Sequence, residues 1–253
     1  MNQERKLAAI LLAGGFGRRL GELGQSLPKG LIPFKETTLV GRLLADIGQI
    51  REITQIILVT NNKFFELYQK YLDQNFKNLP IFLKNDGKNF NEERAGALND
   101  LLIALDSPQI KDEKYDCLVL ASDTYYEFKM QDFLQFCRQH PDSFALVVRQ
   151  VKDKNVIKGR FGCAVLQGEK VVDFVEKPEN PPSYFAATPF YFYPNSLIGK
   201  VSEYHHEGGS MDSPGTIVSW LIRHGVSCLA FVVPDSIIDV GTPEDVAKLK
   251  NVI

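Results

Sequence analysis

"LLAGGFGRRLGELGQSLPKGLIPF", residues 11–34, puts Gly14, Gly15 and Gly17 within four positions and follows them at once with Arg18 and Arg19. Lys29 comes next, after Pro28. A plain surface turn needs one or two glycines and no cations. Glycines let backbone N–H groups approach an anion with no Cβ in the way, and arginine or lysine side chains then neutralise it. The stretch reads as a cradle for something negatively charged. It leaves "KLAAILLA" (6–13), a continuous apolar run of the kind found in a sheet covered on both faces. Loops leaving such strands are where open α/β sheets hold phosphate groups. Two familiar phosphate signatures are excluded. The dinucleotide fingerprint needs glycine where Leu20 stands, and the Walker loop needs Gly-Lys-Ser/Thr where this chain has Arg18-Arg19-Leu20.

Strand-length apolar runs alternate with helix-period segments through residue 151. Strands are expected at 6–13, 54–60, 79–84, 115–122 and 144–151. Helices are expected at 38–50, 63–75, 92–106 and 130–139. That alternation implies a parallel sheet with right-handed crossovers. The pattern then changes. Runs at 162–168, 170–177 and 185–193 carry turn residues and little helix between them, which reads as an antiparallel lobe. A helix over 213–225, with Ser213 as N-cap and Pro214 at its first position, precedes a strand at 226–234. The segment 241–250 closes the chain as a helix capped by Thr242 and Asp245. The expected organisation is a single domain over 1–253. Within it, 1–150 forms a nucleotide-binding core, 151–235 a substrate lobe, and 236–253 the segment bearing Asp239 and the closing helix.

Composition narrows the partners. Lys+Arg total 29 against 31 Asp+Glu, so the basic excess of a nucleic-acid binder is missing. Cys117, Cys137, Cys163 and Cys228 are too far apart for a metal or redox motif and read as buried thiols in a reducing, cytoplasmic setting. The first apolar run ends in Gly14-Gly15 and lacks the build of a secretory leader. No window reaches the ~18 apolar residues of a membrane helix.

Taken together, "LAGGFGRRL" and "PKGLIPF" resemble the opening of the sugar-phosphate nucleotidyltransferases, the pyrophosphorylases that make nucleoside-diphosphate sugars. Four further motifs follow in order: "EERAGALND" (92–100), "LVLASD" (118–123), "FVEKP" (174–178) and "DVGTPED" (239–245). The resemblance implies a Rossmann-like, GT-A-like α/β fold: a mixed, mostly parallel sheet sandwiched by helices, with a small antiparallel substrate lobe. It implies the short form, without a β-helix domain or long regulatory tail. It also implies an Mg2+-dependent condensation of a nucleoside triphosphate with a sugar 1-phosphate, a homodimer being left open.

Carried over residue by residue, Arg19 and Lys29 take the places of the catalytic arginine and the triphosphate-binding lysine, and Lys177 holds the sugar phosphate. Leu12, Ala13, Gly14, Gly15 and Gly17 line the nucleotide, with Ala95 and Gly96 near the base. Glu176 and Thr188 face the sugar. Asp123 and Asp239, delivered from two strand ends, suit one Mg2+ completed by phosphate oxygens. Asp235 is read as a loop residue. Asn85 is the candidate base reader, because its amide both donates and accepts.

The chain departs from the family pattern at Arg18, where threonine is usual, and at Ser122, which replaces glycine and adds a side chain expected near the sugar. It departs again at Glu93 and Arg94, which replace Gly-Thr, and at Pro189, which removes a backbone donor. Two other readings stay open: a cytidylyltransferase acting on phosphocholine or another small phosphate or alcohol, with Tyr184, Tyr191 and Tyr193 as a cation cage, and a non-catalytic nucleotide-sugar-binding protein.

Overall fold

The computed structural model describes residues 6–93, 95–111 and 114–252. The chain divides into two units, one of Met1–Tyr125 with Ile238–Ile253, the other Tyr126–Ile237. Residues 126–150, read from sequence with the nucleotide-binding core, fall in the second unit.

In the first unit four strands run parallel in the order Ile81–Asn85, Ile53–Thr60, Lys6–Ala13, Tyr115–Ala121. Register follows the hydrophobic runs: Leu11 faces Leu58 on one side and Leu120 on the other. Leu11, Leu58 and Leu120 are all fully buried, as expected of a sheet covered on both faces. The crossover helices are Leu39–Ile47, capped by the Thr38 hydroxyl on Gly41 N, and Phe65–Asn75 and Ala97–Leu105. The helix expected over 92–106 is split. Asn91–Glu93 is a 3-10 turn, and Gly96, at φ 94°, sits outside helical space, so the helix starts at Ala97.

The chain's C-terminal segment returns to this first unit. Ile238–Asp239 pairs antiparallel with Thr124–Tyr125, placing Asp239 opposite Thr124, and Val240 N donates to Asp123 O at 3.1 Å. Helix Pro243–Lys250 then packs Leu249 with Leu20, Ile32, Phe34, Leu39, Tyr125 and Val240. Its capping box is the expected one, Thr242 and Asp245 bonding reciprocally around Pro243. This small core anchors the C-terminal strand beside the end of Tyr115–Ala121.

In the second unit Phe144–Gln150 lies between Phe185–Tyr193, antiparallel to it, and Cys228–Val233, parallel to it. Lys170–Val175 continues the set beyond Cys228–Val233 and pairs antiparallel with Cys163–Gln167. The pairing of Phe185–Tyr193 slips register between Ala187 and Tyr191, so Pro189, which has no N–H to give, falls where the ladder is already broken. The helix read at 213–225 starts only at Thr216, and the Ser213 carbonyl accepts from both Thr216 N and Thr216 Oγ1. A helix absent from the sequence reading, Gly199–His206, buries only Val201 and Tyr204, too thin a stripe to register as periodic.

Candidate active site

The glycine-rich loop leaves Lys6–Ala13 with its peptides held in place. Thr60 Oγ1 donates to Ala13 O at 3.2 Å, and the fully buried Asn61 donates through Nδ2 to Gly14 O at 3.0 Å. In a trans peptide the N–H points opposite to the C=O. Anchoring those two carbonyls therefore turns the Gly14 and Gly15 N–H groups away from Thr60 and Asn61. Gly17 is left-handed at φ 64°, and it packs so closely on Gly24 that a side chain at Gly24 would collide with the Gly17 carbonyl. Leu12 and Ala13 are buried beneath the loop and offer it only their backbone.

Around the loop the first unit gathers charge. Lys29 opens a 3-10 turn, and its Nζ is ion-paired to Asp123 Oδ2. Its Cε would lie 3.4 Å from a Cβ on Gly15, so the ammonium stem runs along the glycine loop. Arg19 lies against Gly241, where an added Cβ would stand 2.8 Å from Nη2. Burial works to lower the Lys29 pKa; the charges of Asp123 and Asp239 outweigh it and leave the ammonium above its ordinary value. Asp239 moves the other way. Burial, and then the neighbouring Asp123 charge, raise its carboxyl above the usual range despite Lys29 and Arg19. Arg19, Lys29, Asp123 and Asp239 thus form one electrostatic cluster beside the glycines.

The crowding of Asp123 and Asp239 also tests whether these residues fit a divalent cation. Two carboxylates from separate strands repel each other enough to perturb Asp239, a cost that a cation would relieve. They are hard oxygen donors, few enough to leave positions for phosphate oxygens. No cluster of three or more acidic, histidine or cysteine ligands occurs among the described residues.

Asn85 donates through Nδ2 to Asn62 Oδ1 and accepts from Gly87 N, each at 2.8 Å, so both ends of its amide are engaged. Ser122 is buried and turned toward Tyr68 and Gly30; its Oγ is 3.5 Å from the Tyr68 hydroxyl. A Cβ on Gly30 would lie 2.9 Å from that same Oγ, so Ser122 fits because residue 30 has no side chain. Ala95 and Gly96 are half-buried ahead of the helix Ala97–Leu105, and Arg94 lies outside the described residues. Arg18 Nη1 pairs with Glu92 Oε1 at 3.0 Å, tying the glycine loop to the Asn91–Glu93 turn.

In the second unit, Lys170–Val175 ends just before Glu176. Strand alternation would put Glu176 and Lys177 on opposite faces, but Lys177 has φ 47° and the alternation fails. Lys177 Nζ lies 3.4 Å from Asp212 Oδ2 and 4.0 Å from Glu176 Oε1, so the three charges share one side. A non-glycine residue at positive φ is strained, and such strain gathers at functional sites. Glu176 is half-buried, and desolvation raises its pKa against the opposing Lys177 charge. Gly162 and Gly215 make room for it: an added Cβ would stand 3.0 Å from Oε2 at Gly162 and would collide with it at Gly215. Thr188 is buried, and its hydroxyl donates to Val147 O at 2.9 Å. Asp235 pairs with Arg149 Nη1 at 2.9 Å.

The aromatic residues considered for a cation cage are otherwise placed. Tyr191 and Tyr193 are buried, and Tyr184 carries Lys154 Nζ over its ring at 4.7 Å. A positively charged choline would meet a lysine there.

Sequence reasoning missed Asn61, Gly30, Tyr68, Asp86 and Asp100. Gly30 and Asp100 stand inside quoted motifs that gave them no role of their own, and Asn61, Tyr68 and Asp86 lie outside any motif.

Residues 8–253 match the family model described as nucleotidyl transferase. The UTP–glucose-1-phosphate uridylyltransferase of Haloferax volcanii is 22% identical over 94% of this chain and 93% of its own length. A mannose-1-phosphate guanyltransferase of Neurospora crassa is 27% identical over 68% of this chain, which covers 45% of that protein's length. A crystal structure from Bacillus anthracis, described as a glucose-1-phosphate thymidylyltransferase, superposes with TM-score 0.81 at 20% identity. It covers 97% of this chain and 94% of its own.

Proposed function

We propose, for a chain that belongs to the nucleotidyl transferase family, the Mg2+-dependent transfer of a nucleotidyl group from a nucleoside triphosphate to a sugar 1-phosphate. An oxygen of the sugar phosphate attacks the α-phosphorus, the bond from that phosphorus to the bridging oxygen breaks, and pyrophosphate leaves with the electron pair. The products are a nucleoside-diphosphate sugar and pyrophosphate.

The single observation that carries this reading is the charge cluster at the glycine-rich loop, Arg19 and Lys29 with Asp123 and Asp239. Two anions must approach one another, so catalysis is mostly positioning and charge neutralisation. The N–H groups of Gly14 and Gly15 receive phosphate oxygens. Arg19 and Lys29 take the charge that builds on the departing pyrophosphate. Asp123 and Asp239 hold the metal, and Lys29, ion-paired to Asp123, orients it. Bound there, a divalent ion supplies Lewis-acid neutralisation of phosphate oxygens. On the acceptor side Lys177 holds the sugar phosphate, and Glu176 accepts from sugar hydroxyls.

The relatives' names carry different bases and sugars, so the family alone does not choose among them. A pyrophosphate-release screen of four nucleoside triphosphates against a panel of sugar 1-phosphates, with phosphocholine included, tests the reading. Release that requires a sugar 1-phosphate supports it; release with phosphocholine alone, or with none of the acceptors, rejects it.

A further inference from the structure

One tyrosine hydroxyl stands between the residue after Lys29 and the residue before Asp123. Tyr68 lies near the start of Phe65–Asn75 and is fully buried. Its hydroxyl oxygen receives the Gly30 N–H and lies 3.5 Å from Ser122 Oγ. The packing around it is close. A Cβ added at Gly30 would stand 2.5 Å from the Tyr68 hydroxyl and 2.9 Å from Ser122 Oγ. Ser122 N in turn donates to Leu12 O at 3.1 Å. The approach to the same helix also holds the glycine loop: Asn61 donates to Gly14 O and accepts from Phe64 N, each at 3.0 Å.

Lys29 and Asp123 are 94 positions apart in the chain, and their ion pair alone does not fix where their backbones stand. A lysine stem is long and flexible, so it can follow a backbone that drifts. A tyrosine ring turns about only two torsions and carries its helix's position to its tip with little play. Burial above all, and the Asp123 charge after it, raise the Tyr68 pKa, so the hydroxyl keeps its proton and acts by position. Resting on the roles given above to Lys29 and Asp123, we infer that Tyr68 is a positioning residue for the reaction. Its hydroxyl, seated between Gly30 and Ser122, sets the spacing of the triphosphate lysine and the metal carboxylate.

Ser122 is the chain's own half of this arrangement, since it stands at a departure from the family pattern. A glycine there would leave the Tyr68 hydroxyl with Gly30 alone. A tyrosine that only filled the core would gain nothing from its hydroxyl, which costs free energy to bury without partners. Position and packing are separated by coupling. The Tyr68 and Ser122 hydroxyls act through one contact, so the effects of losing them should not add.

Calorimetric binding of pyrophosphate to the full chain in Mg2+, read beside the melting temperature, tests this in the wild type, Tyr68→Phe, Ser122→Ala and the double variant. Tyr68→Phe keeps the buried ring and should weaken binding about 10-fold, as for a small misplacement of charged groups. Ser122→Ala should act in the same direction and serves if Tyr68→Phe does not fold. The double variant should bind no more weakly than Tyr68→Phe. Tyr71→Phe, on the same helix, loses a hydroxyl that accepts from Thr38 Oγ1 at 2.9 Å and should bind as wild type. Variants that melt earlier yet bind as wild type would reduce Tyr68 to core packing and overturn the inference. Losses that multiply in the double variant, or an equal loss in Tyr71→Phe, would overturn it as well. No pyrophosphate binding by any of the proteins, wild type included, would overturn the phosphate reading of the loop and this inference with it.

Discussion

The Lys29 ammonium is ion-paired to the Asp123 carboxylate beside the glycine-rich loop. One contact therefore joins the residue assigned to the triphosphate and a residue assigned to the metal. Lys29→Ala removes both functions' support. Turnover should fall on the order of 10²–10³-fold, as for loss of one preorganised charge donor, with weaker triphosphate binding by calorimetry. It also strands a buried carboxylate, so the melting temperature should drop. Normal binding of the triphosphate by a folded Lys29→Ala protein would detach Lys29 from that site.

The neighbouring arginines are expected to behave differently. Arg18 pairs with Glu92 in the open, both side chains being more than half exposed, and such pairs contribute ~0–1 kcal/mol. Arg18→Ala should leave stability within about 0.5 kcal/mol and activity within a few-fold. Arg19→Ala should abolish most turnover. Steady-state rates of the two variants side by side decide which arginine acts in the reaction.

Gly215 and Glu176 offer a test on the acceptor side. A methyl group at residue 215 would drive into Glu176 Oε2, so Gly215→Ala should displace that carboxylate. Like Lys177→Ala, it should raise the Michaelis constant for the sugar phosphate and spare that for the triphosphate. A change confined to the triphosphate constant would show the two substrates to be misassigned.

Asp100 predicts a pH dependence of stability whose sign can be worked out. Its carboxyl rises from 3.8 to about 8 on folding, chiefly by burial and then by the Asp86 charge. Between those values the folded chain holds a proton that the unfolded chain has released, so stability falls as pH rises through the window. Burial raises Asp86 in the same direction, and the Lys88 charge opposes it. A tenfold difference in proton affinity between the folded and unfolded chain corresponds to about 1.4 kcal/mol. Urea midpoints should therefore decline from about pH 5 to about pH 8, and Asp100→Asn should flatten the slope. A slope unchanged by that variant would mean that Asp100 does not titrate as described.

The glycine-rich loop, the buried strands and the Thr242–Asp245 cap were legible because each is local: strand period, turn chemistry and capping lie within a few residues. Gly30 was not. Its lack of a side chain matters because Ser122 and Tyr68 reach it from strands and helices far away in sequence. Asp86 and Asp100 likewise meet only in the fold; Asp86 lies in no motif, and Asp100 closes one that gave it no role. Strand alternation misplaced Glu176 relative to Lys177, because the strand stops at Val175 and Lys177 takes positive φ. Phe144–Gln150 has a parallel neighbour in Cys228–Val233 and an antiparallel one in Phe185–Tyr193, a pairing that an apolar run does not announce.

The central claim is that Asp123 and Asp239 hold one divalent cation for the reaction, while Asp235, paired with Arg149, does not. The direct measurement is the pyrophosphate-release rate of Asp123→Asn, Asp239→Asn and Asp235→Asn, each titrated with Mg2+ and checked for native melting. The first two should lose on the order of 10²–10⁴-fold in rate and require far more metal, while Asp235→Asn stays near wild type. Activity independent of divalent metal, or an inactive Asp235→Asn beside a normal Asp239→Asn, would contradict the account.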